Sequence, residues 1–316
     1  MALDLKAKDR LKARFGKGVK FDEPMSRHTY FQIGGPAEVI VAPETLEDLV
    51  LLIRWCGEKE IPPLVIGSGS NLLVKDGGIE GVTIVLTRCL KKIYLTAETK
   101  QHALITAMAG ARLQALCRFA TEHGLEGLNF AVGIPGTVGG AVIMNAGTKS
   151  GAMESVIESV KVMTLDARML RIEKDRLNFS YRTLSWKPAV SDLGHMPPIV
   201  IDGRFRLIPS DPVRLASEAR ALLHRRQNEQ PTSAPSAGCF FKNPADGRSA
   251  GEMIDRAGLK GLKVGGAQIS SKHANFIINT GKASADDILS LMEIVQTKVA
   301  EIFRVKLEPE VKIVGH

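Results

Sequence analysis

The chain has 316 residues, 44% of them hydrophobic and 24% charged, with four cysteines and a net charge of +8. Such usage is globular and long enough for two or three domains, and it excludes a disordered chain. No apolar run approaches the roughly 20 residues of a membrane span, and the start "MALDLKAKDRLKARFGK" is too charged for a secretory signal, so a cytosolic protein without membrane insertion is expected. In chain order, "EVIVA" (38–42) predicts a strand and Thr45 caps a helix over 46–59, with Leu46, Leu49, Val50 and Ile53 on one side. "PLVIG" (63–67) and "TIVLT" (83–87) predict buried strands. "KIYLTAE" and "ALITAMAG" predict a strand pair, followed by an amphipathic helix over 111–123 that Gly124 ends.

From 156 to 208, "SVKVMTL", "MLRIE" and "PIVIDGRFRLI" predict antiparallel strands. The character changes at Ser210, where Pro212 suits a first helical turn and Leu215, Ala219, Leu222 and Leu223 give one apolar face. Ser284 and Asp287 form a capping-box pattern for a last helix bearing Ile288, Leu291, Val295, Val299 and Ile302, and "PEVKIVG" closes the chain as a strand.

Cys56, Cys89, Cys117 and Cys239 lie tens of residues apart with no CxxC pair and no histidine at ligand spacing, so neither a disulfide framework nor a metal site is indicated. The positive charge suits anions in general, whether nucleic acid, phosphorylated metabolites or dinucleotides. Dispersed basic residues, an aromatic fraction of 5% and the lack of any nucleic-acid-binding motif argue against nucleic acid.

Chemistry concentrates in a few stretches. "VIGSGSNLLV" (65–74) is a strand feeding a glycine-serine turn whose backbone N–H groups can hold a phosphate. A strand-like run follows it rather than a helix, so the dinucleotide fingerprint of a Rossmann fold is not met. "AVGIPGTVGGAVIMNAG" (131–147) is a second loop in which dense glycine suggests backbone packed against a ligand. Together the two suggest one large anionic cofactor. "SYRTLSW" (180–186) carries Tyr181 and Arg182, which alone reads as a solvated cation. "PSAGCFFKNP" (235–244) carries Cys239 in a small-residue turn, and "LEPEV" puts Glu308 and Glu310 on one face of the closing strand.

Read together and in this order, "GSGSN", "IPGTVGGAVIMNAG", "YR", "AGCFFKNP" and "LEPEV" resemble the MurB family of UDP-N-acetylenolpyruvoylglucosamine reductases, in its shorter type. The resemblance spans nearly the whole chain. It implies an α+β protein: a PCMH (vanillyl-alcohol-oxidase-type) FAD-binding fold in two subdomains, 1–86 with 304–316 and 87–209, plus an α/β substrate-binding domain, 210–303. It implies FAD as cofactor and NADPH as the hydride-donating co-substrate. The product of UDP-N-acetylglucosamine enolpyruvate would be UDP-N-acetylmuramate, a peptidoglycan precursor, formed by ping-pong hydride transfer.

By the same resemblance, the FAD would be lined by Tyr30, Gly35, Gly67, Ser68, Gly69, Ser70, Asn71, Leu72, Ile134, Pro135, Gly136, Gly139, Gly140, Asn145 and Gly147. Arg182, Cys239 and Glu310 would form the reaction centre, with Cys239 standing where the family has serine as proton donor. Tyr181, Arg225, Arg226, Lys242 and Asn243 would meet the substrate; His273 and Asn275 fall in a matching segment without a role. A monomer or weak oligomer is expected. Two other readings stay open: a different flavoprotein of the same fold, such as an oxidase of a small alcohol, and a basic module that binds a nucleotide or RNA without turnover.

Overall fold

Capped amphipathic helices and alternating strands account for most of the observed elements. The computed structural model describes residues 3–187 and 197–316. Asp4 caps the helix Leu5–Phe15, and Thr45 caps Leu46–Glu58 by accepting the Asp48 N–H. The second helix buries Leu49, Leu52, Ile53 and Cys56 in one cluster with Val39, Val41, Val82 and Ile84 of a four-stranded sheet. That sheet runs in the order Val19–Pro24, Pro36–Val41, Ile79–Val85, Leu64–Ile66; the first pair is antiparallel and the other two pairs are parallel. Strand alternation sends Ile40, Ile66 and Val85 to the opposite face, into a smaller cluster with Met25 and Val74.

A second, antiparallel sheet runs Met169–Glu173, Ile157–Met163, Ile199–Pro209, Ala103–Met108, Ile93–Glu98. Its apolar residues Ile105, Val160 and Phe205 share the first core with Leu113 and Leu116 of the helix Leu113–Glu122 and with Val138 and Val142 of Val138–Ile143. The expected helix start at Ala111 moves to Leu113, because Ala111 is held outside the helix: its N–H donates to Met108 and its carbonyl accepts from Val138. The expected strand 83–87 stops at Val85, where Leu86–Arg88 turns into a 3₁₀ segment. The helix Pro212–Glu229, capped by Asp211, packs on Leu113–Glu122, and its Ala219 and Leu222 join the first core.

Beyond it a separate core forms from the helices Ala250–Arg256 and Ala285–Phe303, the short strands Lys263–Val264, Ala267–Ile269 and Ile277–Asn279, and Phe240 and Phe241. Phe31, Ile33 and Leu73 from the start of the chain, and Leu307 and Val311 from its end, complete this core. The closing strand is shorter than expected. It begins at Lys312 and runs parallel to Leu72–Val74, while the stretch before it lies against the Cys239 segment through an isolated bridge between Phe241 and Pro309. Proline has no N–H to extend a ladder, which limits the pairing there. The last dozen residues therefore tie the third core to the first glycine-rich loop.

Candidate active site

The strand Leu64–Ile66 feeds the turn 67–71, which leaves as Leu72–Val74. At Gly69 the backbone is left-handed, φ 66°, and a Cβ there would collide with the His28 carbonyl. The Tyr30 N–H donates to Gly69 C=O at 3.1 Å, so the Tyr30 stretch, with Tyr30 exposed, lies beside this turn. A cavity of ≈ 570 Å³ lined by Ser26, Arg27, Thr29 and Gln32 opens at the same place. Gly35 instead backs onto the Asp76–Gly78 turn.

The second loop comes up against the first. Thr137, which caps Val138–Ile143, packs so close to Gly67 that no side chain fits there, and Ser70 Oγ donates to Pro135 C=O at 3.3 Å. Gly136 faces Ser70, Gly139 donates its N–H to Ala109 C=O, and Gly140 is exposed at the loop surface. Gln114, which nothing in the sequence singled out, shapes this loop: its Nε2 donates to Ile134 C=O at 2.6 Å and its Oε1 accepts the Gly133 N–H at 3.1 Å. Within the first loop, Ser68 Oγ is buried with no hydrogen-bond partner among the described residues. A buried hydroxyl without a partner is costly unless a bound group supplies one. Two glycine-rich turns in contact, one of them carrying that hydroxyl, fit the diphosphate of a dinucleotide such as FAD.

Asn145 and Gly147 have local partners. Gly147 pairs with Ala152 in a two-stranded ribbon, and the buried Asn145 amide donates to Glu154 Oε2 at 3.0 Å and to Ser180 C=O at 3.1 Å. The second of these bonds reaches the stretch that carries Arg182, because Ser180 ends the first strand of the hairpin Leu177–Ser180 and Thr183–Trp186. Tyr181 and Arg182 form its two-residue connection, and Arg182 adopts φ 59°, a conformation that costs a non-glycine residue about 1 kcal/mol.

Arg182 is not the solvated cation its local sequence suggests. Its Nε donates to Glu310 Oε1 at 2.8 Å; the Arg182 side chain is 20% exposed and that of Glu310 14%. The guanidinium also lies over the Tyr181 ring at 4.9 Å, while Tyr181 is 49% exposed. Glu308 and Glu310 part company: Glu308 is exposed and meets Lys242 Nζ at 3.4 Å, and only Glu310 meets Arg182.

Cys239 follows Gly238, whose φ is 83°, and precedes Phe240, which stands opposite Glu310 in the register of the Phe241–Pro309 bridge. The Glu310 N–H donates to Phe240 C=O at 2.7 Å, and the Lys242 N–H donates to Glu308 C=O at 2.9 Å. Asn71 of the first loop completes the link, donating from Nδ2 to Glu310 C=O at 3.2 Å and accepting the Lys312 N–H at 3.1 Å. Burial pushes the Cys239 thiol up to about 12; the Glu310 charge adds to this, against the pull of Arg182 and Arg226. Burial likewise raises Glu310 above the ordinary carboxylate value, outweighing Arg182 and Lys242. One carboxyl oxygen, Oε1, accepts from Arg182.

Of the expected substrate contacts, Arg226 is half-buried, its charge acts on Cys239, and its side chain lies over Gly133 of the second loop. Arg225, on the same helix, is exposed. Asn243 Oδ1 accepts the Ala250 N–H at 3.0 Å, which holds the exposed Asn243 at the start of Ala250–Arg256. Asn275 is buried behind the Cys239 segment, where its amide clasps Phe241. No cluster of potential metal ligands exists among the described residues, and none of their helices is long and apolar enough to cross a membrane.

Comparison with known proteins matches residues 230–314 to the family described as UDP-N-acetylenolpyruvoylglucosamine reductase, C-terminal domain, and residues 37–173 to an FAD binding domain. A UDP-N-acetylenolpyruvoylglucosamine reductase of Desulfosudis oleivorans is 48% identical over 301 residues, covering 95% of this chain and 96% of the relative. One from Clostridium botulinum is 44% identical over 297 residues, covering 94% and 92%. The crystal structure of UDP-N-acetylenolpyruvylglucosamine reductase (MurB) from Thermus caldophilus aligns with a TM-score of 0.74 at 34% identity, over 93% of this chain and 98% of that one.

Proposed function

Because the chain belongs to the UDP-N-acetylenolpyruvoylglucosamine reductase family of oxidoreductases, with an FAD-binding domain, we propose that it reduces UDP-N-acetylglucosamine enolpyruvate to UDP-N-acetylmuramate with NADPH. The observation that carries this reading is the junction of Arg182, Cys239 and Glu310, three residues far apart in sequence, at the Asn71 end of the first glycine-rich loop. The FAD would be held by the turns 67–72 and 134–140 and the Tyr30 stretch, with Ser68 Oγ as a partner for it. Bound flavin would accept a hydride from NADPH and pass it from N5 to the CH₂ carbon of the enolpyruvyl group.

The side chains answer the electronic problem of that substrate. Hydride addition to the CH₂ carbon drives negative charge onto C2 and its carboxylate. Arg182 is permanently cationic, and its remaining donors suit a carboxylate, so it stabilises this charge where it develops. Burial raises Glu310 above the ordinary carboxylate value, and in this reading it takes up a proton when substrate binds and donates it as a hydrogen bond from the oxygen that does not meet Arg182. Cys239, neutral at ordinary pH because its thiol is pushed up to about 12, holds the proton that C2 needs. The products are the lactyl ether and NADP⁺, and one proton is consumed. Arg226 and Lys242 supply positive charge for the substrate diphosphate beside Asn243, and Tyr181 offers an exposed ring at the cleft edge. In this reading residues 1–86 with 304–316 and 87–209 hold the cofactor, residues 210–303 hold the substrate, and the enzyme works in the cytoplasm.

The test is steady-state NADPH oxidation by the flavin-loaded protein. Oxidation should depend on the enolpyruvyl sugar and give parallel double-reciprocal lines as both substrates are varied, because each uses the cleft in turn. Oxidation that ignores the UDP-sugar, or intersecting lines, would contradict the proposal. An alcohol oxidase of related fold would be reoxidised by oxygen after a small alcohol instead.

A further inference from the structure

The Cys239 segment and the Glu310 segment make only a brief backbone pairing, and this short ladder has a clamp behind it. Asn275 is 3% exposed. Its Oδ1 accepts the Phe241 N–H at 2.9 Å, its Nδ2 donates to Phe241 C=O at 2.8 Å, and its own carbonyl accepts the Phe240 N–H at 2.7 Å. Both backbone groups of Phe241 and the N–H of Phe240 are thus committed to one residue. The carbonyl of Phe240 then points the other way, to accept the Glu310 N–H at 2.7 Å. Asn275 itself is fixed, because its N–H donates to His273 Nδ1 at 3.2 Å. Only an amide of this length can accept from the N–H and donate to the C=O of one residue at once, so Asn275 stands in for a missing neighbouring strand.

We propose that Asn275 is a positioning residue that sets the register of the Cys239 segment, through Phe240 and Phe241, against the Glu310 segment, and so the placement of the thiol proton for delivery to C2. The proposal rests on the reading of Cys239 and Glu310 given above. It touches no cofactor or substrate: Asn275 acts only through the strand it holds. Without the clasp, Phe241 would leave two buried backbone groups unpaired, and the segment would relax about Gly238, whose surroundings are open. The two phenylalanine rings, 5.2 Å apart in an edge-on arrangement, would keep the segment in the core, so the expected damage is to register rather than to folding.

The experiment compares Asn275→Ala and the isosteric Asn275→Asp with the wild-type holoenzyme, taking the two half-reactions separately and labelling the thiols. Flavin reduction by NADPH should stay within about twofold of wild type. Reoxidation by the enolpyruvyl sugar should slow about 10- to 100-fold in Asn275→Ala, with a larger solvent deuterium isotope effect because proton delivery becomes limiting. Asn275→Asp keeps the acceptor but loses the donor, and should fall between. Independently of turnover, iodoacetamide labelling of the apo protein at pH 8, read by peptide mass spectrometry, should show Cys239 modified at least tenfold faster in Asn275→Ala. The buried Cys56 and Cys117 should remain unchanged.

Equal loss in both half-reactions, or parallel labelling of Cys56, Cys117 and Cys239, would reduce Asn275 to a general structural residue and overturn the proposal. So would wild-type reoxidation in either variant. If Asn275→Ala fails to fold, Asn275→Asp decides by the same readouts. Failure of the wild-type protein itself to be reoxidised by the sugar would instead overturn the functional reading beneath.

Discussion

In the proposed reaction a thiol stands where a proton must be delivered, and its environment decides whether it can serve. In water a cysteine near pH 8.5 would already be partly thiolate, which cannot donate. Burial beside Glu310 pushes Cys239 up to about 12, against the pull of Arg182 and Arg226, so the proton stays on sulfur over the whole physiological range. The position of the donor then matters more than the atom. Cys239→Ser should retain substantial turnover, whereas Cys239→Ala should slow reoxidation of reduced flavin about 10²- to 10⁴-fold while leaving flavin reduction near wild type, as stopped-flow absorbance would report. An alanine variant with normal reoxidation would remove the donor role. The pattern around Cys239 was legible in the sequence only as a motif. "YR" by itself reads as surface charge because the partner of Arg182 lies 128 residues away. Asn275 fell in a matching segment but without a role, since what it holds is backbone 34 residues upstream and any sequence there would accept it.

Elements whose signals are local were the legible ones. Thr45 caps its helix as its spacing predicts, and Ser284 with Asp287 closes a full capping box on Ala285–Phe303. The same helix start carries a device no local reading could find. Asp76, from the turn after Leu72–Val74, accepts the Ala285 N–H at 3.0 Å and the Asp286 N–H at 3.1 Å, so a carboxylate from 209 residues earlier caps the helix a second time. Because it joins the first loop's strand to the third core, Asp76→Ala should cost about 1 kcal/mol. Urea unfolding would show a lower midpoint with unchanged m-value, and an unchanged midpoint would mean water replaces the carboxylate at no cost. Two- and three-residue strands such as Lys263–Val264 and Ile277–Asn279 were not legible, because too few residues alternate to mark a period and their register comes from tertiary packing. The closing strand was placed too early for a related reason: Leu307 and Val311 carry strand-like apolarity, yet they serve the third core rather than a ladder.

At the scale of the molecule, three asparagines repeat one solution. Asn145 holds the strand before Arg182, Asn275 holds the segment after Cys239, and Asn71 holds the carbonyl of Glu310, each through its side-chain amide. Arg182, Cys239 and Glu310 are delivered by a hairpin of the second sheet's neighbourhood, a loop entering the third core, and a tail that runs on to pair with Leu72–Val74, and amide bonds to backbone fix each where regular ladders are short. A site assembled this way is over-determined in position. The net charge of +8 suits a protein whose proposed visitors, a dinucleotide and a UDP-sugar, are both polyanions.

The central claim is that Arg182, Cys239 and Glu310 converge so that an electron-rich alkene accepts hydride in this cleft. It is tested most directly without oxygen: the flavin-loaded protein is bleached with one equivalent of NADPH, and UDP-N-acetylglucosamine enolpyruvate is then added. The oxidised flavin spectrum should return in a single turnover with UDP-N-acetylmuramate formed in equal amount, and Arg182→Ala should stay bleached. A wild-type protein that remains bleached in the presence of the sugar, or an Arg182→Ala variant that recovers at the wild-type rate, would contradict it.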